Sequence, residues 1–176
     1  MEKNKRKKGI LFNKIIFWFT LILFINSIVL FIVVEDASLK SQFALNCFQC
    51  FCMLVLMFLP RFVSKHFKYE IPKIMQIIYV SFCFGGLVLG DVYNFFDRFP
   101  YWDSILHSIS GVLLAALGFI IMNTLNGSAR VKMTLSPTIL CISVVLFALA
   151  LGALWEIIEF LIDDIFGSNM QQFMQT

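Results

Sequence analysis

The apolar residues of this chain do not alternate with polar ones. They gather in continuous runs over residues 15–34, 43–59, 74–96, 103–122 and 137–166, separated by short charged stretches. A helix rises about 1.5 Å per residue and needs roughly 20 residues to cross a hydrocarbon core about 30 Å thick. Each run is of that order, so each predicts a membrane-spanning helix. A transmembrane strand would show apolar residues at every second position instead. The predicted fold class is therefore all-α, a polytopic transmembrane helical bundle of about five spans.

Breaker residues mark the boundaries. Pro60-Arg61 ends the second run, Asn126-Gly127-Ser128 reads as a turn, Pro137 suits a helix start, and Gly167-Ser168-Asn169 ends the last run. One transmembrane domain over 15–166 thus lies between a basic tail, 1–14, and a short polar tail, 167–176. The first run ends in Val33-Val34-Glu35-Asp36 without a small-x-small site, so it reads as a retained helix and not as a cleaved signal.

Charge then orients the bundle. Six Lys/Arg lie in the N-terminal tail, four (Arg61, Lys65, Lys68, Lys73) in the second loop and two (Arg130, Lys132) in the fourth. Only Lys40 and Arg98 lie in the first and third loops. Basic residues mark the cytoplasmic side, so the N-terminus is expected in the cytoplasm of a multi-pass cell-membrane protein, a bacterial inner or plasma membrane. The basic tail reads first as a topology signal. Acids show the opposite bias: all but Glu2 and Glu70 fall on the outer side.

Composition agrees. The chain is 60% hydrophobic and 14% charged, against about 45–50% and about 25% in soluble proteins. The net charge of +3 does not point to nucleic acid, because its basic residues flank apolar runs. The bilayer is the implied partner, with homo-oligomers or other membrane subunits left open. All five Cys lie within apolar runs, and Cys47-x-x-Cys50-x-Cys52 lacks a second zinc-spaced pair, so packing is the expected role. His66 is expected to be solvated in a basic loop, and Asn26 and Gln76 to make interhelical hydrogen bonds.

The candidate chemistry lies at the outer ends of the last two runs. Asp103 and His107 are spaced i,i+4 and share a helix face, continued by Ser110 and Gly111. Glu156, Glu159 and Asp163 also share a face, with Gly152 one turn deeper. Small residues there would admit a close helix neighbour. Charged groups in a span cost about 2.5–3.5 kcal/mol each at the helix centre. Antiparallel spans set His107 and Glu159 at similar depth if Asp103 and Asp163 are level, and Asp91 near the end of the third run is positioned to join them. Three readings are open. His107, Glu156, Glu159 and Asp91 suit a divalent metal, although neither H-E-x-x-H nor Glu-x-x-His is present. The same acids and histidine suit proton or cation transport, against which the lack of an inverted repeat counts. Or Asp103 caps a helix, His107 is a satisfied partner of a Glu, and Asp163 and Asp164 are solvated.

The segments Asp91-Val-Tyr-Asn-Phe-Phe-Asp97, Tyr101-Trp-Asp103-x-x-x-His107-Ser-Ile-Ser-Gly111 and Gly152-Ala-Leu-Trp-Glu156-Ile-Ile-Glu159-Phe resemble the YjdF-type family of uncharacterised small bacterial integral membrane proteins. The resemblance spans about residues 60–171. It implies a fold type, and it implies that Asp103, His107, Glu156 and Glu159 are the characteristic polar set. Chains of that kind continue into an acidic segment and a further membrane helix, so a form lacking the last helix is expected here. The leading functional expectation is a metal-dependent or acid–base site, with those four residues catalytic, acting on a lipid or small polar substrate at the outer face. A cation- or proton-coupled transport component, or a non-catalytic truncated membrane protein, is the alternative.

Overall fold

The computed structural model describes residues 2–67, 71–126 and 134–166, together with Gln171. The described residues are helical almost throughout and contain no strand. The order is α1 (Glu2–Val33), α2 (Ala37–Leu56), α3 (Leu59–Phe67), α4 (Lys73–Cys83), a π-helical segment (Phe84–Val92), α5 (Phe95–Arg98), α6 (Trp102–Asn126) and α7 (Pro137–Phe166). Among the described residues, five segments are long and apolar enough to cross a membrane: Gly9–Val33, Ala37–His66, Lys73–Val92, Trp102–Asn126 and Pro137–Ile165.

Helical structure extends beyond the apolar runs wherever local chemistry allows it. α1 continues back through the Lys-rich tail to Glu2, since Lys, Arg and Glu are good helix formers. α2 begins at Ala37 because the Asp36 carboxylate accepts the Leu39 N–H at 2.9 Å, a side-chain N-cap. A loop was expected after Pro60; instead α3 forms with Pro60 in its first turn, where a missing N–H costs no helical bond. The fourth long run starts as a helix at Trp102, so Asp103 lies inside the first turn and does not precede it as a cap.

The chain forms two compact units, residues 1–102 and 103–176. In the first, α1, α2, α4 and the π-helical segment pack around Met53, Val80, Cys83 and Val88, all buried, with Ile16, Leu23 and Leu87 against them. Lipid is as apolar as these side chains, so close van der Waals packing holds such a core. Gly9 lets Ile77 approach: a Cβ there would sit 3.3 Å from the Ile77 Cδ1. The Tyr79 hydroxyl donates to the Leu56 carbonyl at 3.3 Å. Cys50 and Cys83 are buried, which fits the packing role expected of them, whereas Cys47 and Cys52 are partly buried and Cys141 is exposed. Gln76 does not bridge helices; its amide donates to the Ile71 carbonyl at 3.0 Å. Asn26 is exposed on α1.

The π-helical segment contains Gly85, Gly86 and Gly90 and ends before Asn94, which is left-handed at φ 55°. Asn tolerates that region better than most residues. A Cβ on Gly90 would lie 2.3 Å from the Phe96 ring, so the ring closes over the segment only because glycine is there. The Trp102 indole N–H donates to the Gly85 carbonyl at 3.1 Å, and its ring meets Phe95 edge-on.

In the second unit, α6 and α7 follow one another as a helical hairpin. The Asn126 side chain accepts the Leu135 N–H at 2.5 Å and faces its carbonyl at 3.4 Å. Ser136 then caps α7, accepting from the Ile139 N–H at 3.4 Å, with Pro137 at the favoured first position. The two helices approach where the Phe147 ring fills the space beside Gly118, 2.8 Å from where a Cβ would stand. That close approach was expected at Gly111 and Gly152, but a Cβ at either meets nothing within 4 Å.

Candidate functional site

Two helices of the second unit supply the site. The first turns of α6 carry Asp103 and His107; the second half of α7 carries Glu156 and Glu159. The i,i+4 spacing sets Asp103 beneath the His107 ring, and the two meet: Oδ2 lies 3.5 Å from Nε2. Glu156 reaches the same nitrogen from α7, its Oε1 at 3.6 Å. One imidazole nitrogen is thus shared by carboxylates from both helices.

Glu159 differs from its neighbours. It is 6% exposed, whereas most of the surrounding α7 side chains are open. Its Oε2 is buried with no hydrogen-bond partner. A buried acceptor without a donor costs about 1–3 kcal/mol. Ligand atoms of His107, Glu156 and Glu159 all lie within 4.8 Å of one another. Donors bound to zinc at about 2.0–2.1 Å in a tetrahedron stand about 3.3 Å apart. The His107–Glu156 separation of 3.6 Å is near that already, and side-chain rotation that draws in Glu159, within 4.8 Å, would close the group around an ion. Three protein donors leave a fourth position for water or substrate.

Other polar groups nearby are spent elsewhere. The Ser110 hydroxyl donates to the His107 carbonyl and the Ser108 hydroxyl to Ser104, both at 2.8 Å. Asp163 accepts the Gln171 N–H at 2.9 Å, so it anchors the chain beyond α7, where it was expected merely to be solvated. Asp164 is exposed. The Gln171 amide approaches the Glu156 carbonyl at 3.4 Å and its Oε2 at 3.5 Å. No sequence signal marks Gln171, which itself lies in a turn. Asp91 lies in the π-helical segment of the first unit, and the group in the second unit forms without it. His66 sits in α3, stacked on Phe62 with centroids 5.9 Å apart, and is not a loop residue.

Five apolar helices, and a histidine–carboxylate group set between two of them, define a multi-pass helical membrane protein. A family model described as "Predicted membrane protein (DUF2238)" matches residues 15–176, and the chain belongs to that family. The YjdF-type resemblance is consistent with this membership. No curated protein and no solved structure matches the chain.

Proposed function

We propose that this protein binds a divalent metal ion, zinc by donor type, through His107, Glu156 and Glu159, and uses it on a lipid or small polar substrate at the outer face of the cell membrane. Two observations carry the reading: Glu159 is buried with its Oε2 lacking a donor, and one of its carboxylate oxygens lies within 4.8 Å of ligand atoms of His107 and Glu156. A cation is the partner such an oxygen lacks. One imidazole and two carboxylates match a borderline-soft ion of that class. The outward placement is supported by the Lys/Arg bias of the loops.

The chemistry follows from the open position. A metal ion held there would lower the pKa of a coordinated water and polarise an ester or phosphoryl oxygen, so metal-assisted hydrolysis is the reaction class. Asp103, 3.5 Å from His107 Nε2 and 29% exposed, stands at the rim, where it would accept a hydrogen bond from such a water. Glu156, half exposed, faces the entry side, while Glu159 forms the buried floor.

The test is elemental analysis of the detergent-purified, full-length protein after chelator stripping and reloading with zinc. Near-stoichiometric zinc in the wild type, lost in Glu159→Gln and His107→Ala, is the expected outcome. A wild type that retains no zinc, manganese or iron would overturn the reading. Cation flux in proteoliposomes that needs Glu159, without retained metal, would replace it with the transport alternative.

A further inference from the structure

We propose that α3 is an interfacial helix whose Arg61 and Lys65 bind the headgroups of anionic phospholipids. α2 has 20 residues, which at about 1.5 Å each span about 30 Å, the thickness of the hydrocarbon core. The second apolar run ends at residue 59, so α3 forms the end of the candidate span Ala37–His66, where hydrocarbon gives way to headgroups. The turn at Met57–Phe58 and Pro60 in the first turn of α3 separate the two helices.

Its nine residues divide by chemistry. Arg61 and Lys65 are i,i+4 and lie on one face; Leu59 and Val63 lie on the opposite one. Arg61 and Lys65 are exposed, and among the described residues no carboxylate pairs with either. Phe58 and Phe62 near them are also open, at 53% and 65% exposed, as is Leu59 on the opposite face, at 41%. Open cations next to open aromatic and aliphatic groups suit a surface that is anionic on top and apolar beneath. An anionic leaflet is that surface, and an acidic soluble protein is not. Lys68 and Lys73 follow in sequence, and Lys73 opens α4, so positive charge continues past the helix. The Lys/Arg bias assigns this end to the cytoplasm, where anionic lipid attracts basic segments. None of this depends on the metal site.

The test uses the full-length protein in phosphatidylcholine micelles doped with phosphatidylglycerol, with Tm as readout. Phosphatidylglycerol raises the Tm of the wild type. In the double variant Arg61→Gln/Lys65→Gln the apparent affinity falls roughly 30-fold, from about five-fold per basic residue. Lys40→Gln, at the opposite end of α2, leaves the response unchanged. Sodium chloride at high concentration removes the wild-type shift, because screening shortens to a few ångströms. This salt arm needs no variant and stands even if the double variant folds poorly. A wild type indifferent to phosphatidylglycerol, a salt-insensitive shift, or a double variant responding like wild type overturns the proposal. So does inorganic phosphate reproducing the shift, which would point to a soluble anion.

Discussion

Glu159 is the residue on which the site turns, and its environment gives a prediction with two opposite signs. Without metal, its Oε2 is buried and lacks a donor. Glu159→Gln places an N–H₂ beside Glu156 and His107, so the metal-free protein should gain about 1 kcal/mol. The same change removes a ligand, so zinc should no longer raise its Tm, whereas the wild type should gain about 2.7 kcal/mol at 100-fold excess over Kd. Thermal unfolding with and without zinc reads both. A variant less stable than wild type in chelator, still stabilised by zinc, would refute the assignment. Protons compete with the ion for His107 and the carboxylates, so zinc affinity should fall as pH is lowered; titration by calorimetry at two pH values checks the direction. The residue types and their helical spacing were legible in the sequence, because i,i+3 and i,i+4 positions share a face whatever surrounds them. Which of the two glutamates is buried was not, because burial depends on what the other helix presents.

At the scale of elements, the contacts that position the helices involve glycines and one indole. Gly118→Ala sets a methyl group 2.8 Å from the Phe147 ring, so α6 and α7 must part or the ring must turn. Overpacking of this kind costs about 1–3 kcal/mol. Phe147→Leu should recover much of the loss in a double-mutant cycle read by thermal unfolding in detergent, and full additivity would show that the contact does not couple the helices. Trp102→Phe keeps the ring beside Phe95 but removes the donor to the Gly85 carbonyl. That loss should cost about 1 kcal/mol and speed amide exchange within Phe84–Val92. The long apolar helices were legible from length alone. The π-helical segment and α3 were not, since widened turns and a proline in a first turn depend on neighbours such as Phe96 and on the chain's exit from α2.

For the whole molecule, the loop charges predict an orientation that labelling can check. With a charged, membrane-impermeant maleimide on intact cells, Ser38→Cys should label and Ser64→Cys should label only after lysis. The reverse pattern would put the His107 site on the cytoplasmic face. Membership of the predicted membrane protein family rests on residues 15–176, and the five spans rest on the fit between helix rise and bilayer thickness. That fit is a property of composition and length, so a string of residues suffices to predict it. So is the placing of Asp103 with His107, and of Glu156 with Glu159, each on one helical face. The meeting of those two faces is of another kind. It needs α6 and α7 side by side, seated by Phe147 against Gly118, so that Glu156 can reach the nitrogen that Asp103 already faces. Local periodicity carries no information about that approach, and distance and burial, on which metal chemistry depends, exist only once both helices have packed.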